Sequence, residues 1–172
     1  MIDGLELLEK TLQEEESTPE SFRLISTKIN HSNLSNLPTV LVIDDSITTR
    51  QTISQTLQKA GYNVVQAQDG WQGLAQLQQY PQIKAIICDV EMPEMNGFEF
   101  LSRCRKQYSM QEMPVLMLTS RSSQPYRQLA KQLGSNGYLT KPYLDQELID
   151  NLQLVIELKV ISPPEQGTGN GE

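Results

Sequence analysis

The sequence predicts an α/β fold: a doubly wound parallel sheet of five strand–helix units, with strand order 2-1-3-4-5. Three observations predict it. Short apolar runs alternate five times with stretches whose apolar residues recur at helical spacing. The run Ala85-Ile86-Ile87-Cys88-Asp89 is continuously apolar until it ends on a carboxylate, with Pro93 and Gly97 soon after. That is how a strand buried on both faces reads. Finally, the connections are short, and right-handed crossovers then place two helices on one face of the sheet and three on the other.

The first strand is Val40-Leu41-Val42-Ile43, following Pro38 and Thr39 and ending in Asp44-Asp45. Ser46 can cap a helix bearing Ile47, Ile53, Leu57 and Ala60, which stops at Gly61. A short strand follows over Asn63–Gln66, centred on Val64-Val65. Asp69 can cap the next helix, with Trp71, Leu74 and Leu77 on one face, and Trp71 and Cys88 are expected in the core. The third strand is Ile83–Asp89, and Phe98, Leu101 and Cys104 mark a helix after Gly97. Pro114 opens the strand Val115-Leu116-Met117-Leu118, which ends at Thr119. A helix with Tyr126, Leu129, Ala130 and Leu133 runs to Gly134. Tyr138-Leu139 form a fifth strand ending at Thr140-Lys141-Pro142, and the last helix carries Leu148, Leu152, Val155 and Ile156.

Outside this alternation the chain changes character. Residues 1–38 read as an acidic arm and linker, and residues 161–172, rich in Pro and Gly, as a disordered tail. Met1, Leu5, Leu8 and Leu12 allow a short amphipathic helix, opposed by Glu14-Glu15-Glu16 at its C-terminal end. The net charge of -7 is concentrated here: residues 1–20 hold seven acids and one base, Lys10. The rest is nearly neutral and has no basic run, which argues against nucleic-acid binding. No apolar run is long enough to span a bilayer, and the acidic start is unlike a signal peptide. Cys88 and Cys104 read as free thiols of a cytoplasmic protein, and His31, alone in the linker, as an inert solvated residue.

The strand ends carry the chemistry. The first ends in Asp44 and Asp45, the third in Asp89, the fourth in Thr119 and the fifth in Lys141. With this strand order the first and third are neighbours at the topological switch point, where open α/β sheets place their ligands. Asp89 alone reads equally as a chain-reversal residue; convergence of the other charges makes it functional. Two carboxylates about 5 Å apart repel by roughly 3 kcal/mol at an effective dielectric of about 20. Three of them need either a proton or a cation, and Lys141 supplies only one positive charge. Hard oxygen ligands open to water suit Mg²⁺ better than Zn²⁺ or a caged Ca²⁺.

An acid pair, a later Asp, a Thr and a Lys-Pro, each closing its strand, resemble the CheY-like receiver domain of two-component response regulators over residues 39–160. Met92-Pro93-Glu94-Met95-Asn96-Gly97 is similar to that family's turn after its acceptor Asp. The resemblance implies a flavodoxin-like (βα)5 sheet in which Asp89 accepts a phosphoryl group from a histidine kinase or histidine phosphotransfer protein. It implies that Asp45, Asp89 and the backbone carbonyl of Glu91 bind Mg²⁺ directly, with Asp44 acting through water. Lys141 would neutralise the phosphoryl group, Thr119 would donate its hydroxyl to it, and Lys141-Pro142 would be cis. Thr119 and Tyr138 would form a switch that remodels the face of helix four, strand five and helix five for a protein target. Arg121 and Glu91, flanking the site, would set the access of hydrolytic water.

Asp-Asp-Ser followed by Arg50 is most similar to receivers of chemotaxis and phototaxis systems, including those fused to CheA-type hybrid kinases. The expected role is thus a phosphoacceptor rather than an enzyme, signalling to a protein and not to nucleic acid or membrane. Two alternatives are a docking module that needs no phosphorylation and an aspartyl-phosphate phosphohydrolase. The latter class carries Asp-x-Asp after its first strand, where this chain has Ser46. A flavin or dinucleotide protein is disfavoured because Ser46-Ile47-Thr48-Thr49 contains no glycine loop.

Overall fold

The structure, a computed structural model, describes residues 38–158. The expected N-terminal helix, the linker with His31 and the tail from residue 161 lie outside the described residues. The elements run β1 (Thr39–Ile43), α1 (Ile47–Lys59), β2 (Asn63–Ala67), α2 (Gly70–Gln79), β3 (Ile83–Asp89), α3 (Gly97–Arg105), β4 (Val115–Thr119), α4 (Gln124–Gln132), β5 (Gly137–Thr140) and α5 (Asp145–Leu158). All strand pairs are parallel and the order is β2-β1-β3-β4-β5, as the sequence predicts.

The pleat sends alternate residues to opposite faces. Val40, Val42, Ala85, Ile87, Leu116 and Leu118 meet Ile53 and Leu57 of α1 and Leu148, Leu152 and Val155 of α5. On the other face Leu41, Ile43, Ile86, Cys88, Val115 and Met117 meet Leu77 of α2, Phe100, Leu101 and Cys104 of α3, and Leu133 just after α4. This is the two-and-three division of helices required by the crossover rule. β1 and β4 are buried along their whole length and β3 everywhere but Lys84, whereas the edge strand β2 is fully buried only at Ala67, which explains its weaker apolar signal.

Local signals set the helix starts. The side chains of Ser46, Asp69 and Asn96 accept from the backbone N–H groups of Thr49, Gln72 and Glu99 at 3.3, 2.7 and 3.0 Å. Gly61 and Gly134 adopt φ of 97° and 94°, the left-handed geometry that ends α1 and α4. At the amino-terminal rim, Arg105 donates to the carbonyls of Gly134 and Met113 and to Asn136 Oδ1, at 2.9, 2.8 and 2.8 Å.

Trp71 corrects the expected core. It is 53 % exposed, with the Arg103 guanidinium 4.7 Å above its ring. The stripe of α2 turned inward is Gly70-Gly73-Leu77: a Cβ on Gly70 would collide with Met95, and one on Gly73 with Ile43. Glycine allows the close approach of helix and sheet, and the large ring one residue away is turned out. Ile47, expected on the apolar face of α1, is 60 % exposed at the helix start, and Leu129 is exposed because α4 buries Ala130 instead. Ala60 is likewise exposed, whereas Cys88 is fully buried as expected.

Candidate functional site: an acidic crevice at the carboxyl end of the sheet

Asp44 follows the last residue of β1 and is 2 % exposed. Its Oδ1 accepts from Ser46 N at 2.8 Å, and its backbone carbonyl accepts from Arg50 Nη1 at 2.7 Å. Arg50 Nε also donates to Gln66 Oε1 at 3.1 Å, so one guanidinium ties the loop bearing both acids to β2. Asp89, the last residue of β3, is 4 % exposed. The next turn lies directly on it. A Cβ at Gly97 would collide with the Asp89 carbonyl oxygen and with Val90, and Gly97 N donates to the Val90 carbonyl at 2.9 Å.

Asp44, Asp45 and Asp89 each present one oxygen, all within 4.8 Å of one another, with Asp45 at the exposed mouth. Lys141 reaches in from the end of β5, its Nζ 3.0 Å from Asp89 Oδ1 and 3.9 Å from Asp44 Oδ2. The Lys141-Pro142 peptide is cis. Burial pushes the Asp89 carboxyl up to about 6; Lys141 pulls it down through a hydrogen bond and its charge, while Asp44 and Glu91 push it further up. Burial also raises Asp44, against the pull of Ser46 N and Lys141. Both shifts express mainly the loss of water around the two carboxylates, which Lys141 only partly offsets.

The donor set fits a small hard cation. Asp44 Oδ2 is buried without a hydrogen-bond partner, facing an ammonium too distant to donate to it. A cation among the three carboxylates would satisfy that oxygen and relieve repulsion of about 3 kcal/mol per pair at an effective dielectric of about 20. Carboxylates alone, one of them open to water, match Mg²⁺.

Thr119, fully buried at the end of β4, does not face the acids unengaged. Its hydroxyl donates to Glu91 Oε1 at 2.5 Å and accepts from Arg121 N at 3.0 Å. Ser120 N and Ser120 Oγ donate to the same Glu91 oxygen, each at 3.1 Å. Burial pushes the Glu91 carboxyl up, but these hydrogen bonds outweigh it and hold the group below its ordinary range. Tyr138 is half-buried, its hydroxyl donating to the Arg121 carbonyl at 2.6 Å under the Arg127 guanidinium. The Arg121 guanidinium turns away from the acids to Tyr126, donating to its hydroxyl at 2.7 Å.

The crevice therefore gathers the sequence-selected Asp44, Asp45, Asp89 and Lys141, and sets Thr119, Glu91 and Tyr138 beside them as a connected group. Ser120 escaped the sequence reading, and Arg50 and Glu91 enter the site in ways it did not give. Arg50 was visible as part of a motif but its tether to β2 was not; Ser120 gave no signal beyond following Thr119. Glu91 was singled out for its carbonyl and as a flanking charge, and it is the carboxylate that takes the Thr119 hydroxyl.

Comparison with known proteins agrees with this fold. Residues 40–153 match the family described as response regulator receiver domain. A chemotaxis protein CheY homolog of Campylobacter jejuni is 34 % identical over 134 residues, covering 77 % of this chain and 95 % of that protein. The transcriptional regulatory protein CpxR of Escherichia coli is 33 % identical over 132 residues, 77 % of this chain and 55 % of that protein. Among solved structures, chemotaxis protein CheY4 of Vibrio cholerae superposes with a TM-score of 0.65 and 44 % identity, over 69 % of this chain and 98 % of that one.

Proposed function

Because the chain belongs to the family of response regulator receiver domains, we propose that it signals by accepting a phosphoryl group on Asp89 from a histidine kinase or a histidine phosphotransfer protein. The carrying observation is the meeting of three carboxylates from β1 and β3 with the Lys141 ammonium in one crevice. An Asp89 oxygen attacks phosphorus, the phosphorus–nitrogen bond of the donor breaks with its electron pair passing to the imidazole, and an acyl phosphate remains on Asp89.

Asp45, Asp89 and the Glu91 carbonyl would hold Mg²⁺, and Asp44 would act through water. The ion would supply neutralising charge to the phosphoryl oxygens. Lys141 adds a positive charge, and Thr119 donates its hydroxyl to a phosphoryl oxygen. Beyond this self-catalysed transfer and later hydrolysis, whose water access Glu91 and Arg121 set, the protein is not an enzyme.

The new charge of about -2 draws Thr119 inward, and Tyr138 follows into the space it leaves. The face of α4, β5 and α5 is thereby remodelled for a protein target in the cytoplasm, not for nucleic acid or membrane. Among the described residues no helix is long and apolar enough to cross a membrane. Similarity to chemotaxis proteins supports an output of that kind. The domain is assigned to residues 39–160, with an arm and linker before it and a tail from 161.

Incubation with Mg²⁺ and phosphoramidate, followed by intact mass measurement, tests the reading. One phosphoryl group is expected on the wild type and none on Asp89→Asn or in EDTA. No adduct on the wild type, or an equal adduct on Asp89→Asn, refutes it. Equal affinity of a partner for wild type and Asp89→Ala would leave only a docking module.

A further inference from the structure

Three donors beside the acceptor converge on a single oxygen: Thr119 Oγ1, Ser120 N and Ser120 Oγ all point to Glu91 Oε1. Thr119 is fully buried and its own oxygen accepts from Arg121 N, which directs the hydroxyl proton toward Glu91. A hydroxyl and a backbone N–H converging at the rim of a sheet are a receptor for an anionic oxygen. Here that receptor is filled by the chain's own carboxylate. A threonine hydroxyl has one proton to donate, so Thr119 cannot serve Glu91 and a phosphoryl oxygen together.

We propose that Glu91 is an internal competitor of the phosphoryl group. Its carboxylate occupies the Thr119–Ser120 cradle at rest, is displaced when an anionic oxygen enters, and re-engages Thr119 when that oxygen leaves. The inference rests on the phosphoacceptor reading above and concerns how its site is gated. Glu91 acts through the donors it engages, so its side chain is a positioning residue. Its negative charge, already felt by Asp89, further opposes an incoming anion. A purely structural latch between the loop after β3 and the end of β4 would use the same hydrogen bonds but have the opposite consequence, because removing it would loosen Thr119 and weaken anion binding.

The test is calorimetric titration of the full chain with beryllofluoride in the presence of Mg²⁺, for wild type, Glu91→Gln and Glu91→Ala. Gln keeps an acceptor but loses the charge, whereas Ala empties the cradle. The dissociation constant is expected to fall about threefold in Glu91→Gln and about tenfold in Glu91→Ala. With phosphoramidate, half-saturation should fall by similar factors. Urea midpoints measured in parallel show whether each variant is folded, and Glu91→Gln carries the test if the alanine variant is not. Unchanged or weaker beryllofluoride binding in the folded variants overturns the inference while leaving the acceptor role of Asp89 standing. No binding by any of the three, wild type included, overturns both.

Discussion

Asp89→Asn should make the protein more stable, although it removes one partner of a buried ion pair. The carboxyl is 4 % exposed, and its pKa stands at about 6 against an ordinary 3.8. That elevation already includes the attraction of Lys141 at 3.0 Å, so it is the net cost of ionising Asp89 in the folded crevice. Converted at 1.36 kcal/mol per unit, it amounts to about 3 kcal/mol.

The sign follows from proton linkage. A raised carboxyl binds its proton more tightly in the folded state, so unfolding free energy falls as pH climbs from about 4 to about 6 and is flat above. Asparagine resembles the neutral form and escapes that loss. In EDTA at about pH 7.5, Asp89→Asn should therefore gain about 3 kcal/mol in urea unfolding, or roughly 10 °C in Tm. Below about pH 4 the two proteins should converge. Mg²⁺ should close the gap from the other side, stabilising the wild type by about 2.7 kcal/mol at a hundredfold excess over its Kd, and the variant by less. A variant of equal or lower stability at neutral pH would refute this reasoning, as would a gap independent of pH; either would mean that the Asp89–Lys141 pair is a net stabiliser.

Two further substitutions probe the frame around the site. Gly97→Ala drives a Cβ into the Asp89 carbonyl and Val90, both backbone and unable to yield; it should cost about 2 kcal/mol or more and slow phosphorylation by phosphoramidate, while alanine at exposed Gln128 should do neither. Arg105→Met strips the donors from Gly134, Met113 and Asn136 at the opposite rim. It should lower stability by about 2–3 kcal/mol in urea unfolding yet leave the Kd for beryllofluoride within about twofold of wild type, because it lies far from the acids and such effects are local.

Most of the scaffold was legible because the information is local. A strand buried on both faces must be apolar along its length, and Ile83–Asp89 is so except at Lys84, which is exposed, and at the terminal Asp89. Ser46 and Asp69 cap their helices through hydrogen bonds to residues three positions on. The helix stops at Gly61 and Gly134 need only the left-handed backbone of one residue. The interior was less legible. An apolar stripe counted along α2 selects Trp71, but the close approach allowed by Gly70 and Gly73 depends on Met95 and Ile43, which belong to other elements.

The sequence by itself determined the order of the elements, the faces of the central strands and the chemistry at each strand end, because these depend on residue type and short-range periodicity. Only the tertiary structure decided that the Thr119 hydroxyl belongs to Glu91, twenty-eight residues away, and that the second oxygen of Asp44 is buried without a hydrogen-bond partner. Those facts depend on which rotamers meet when β1, β3 and β4 are brought side by side. No pattern along one segment encodes that meeting.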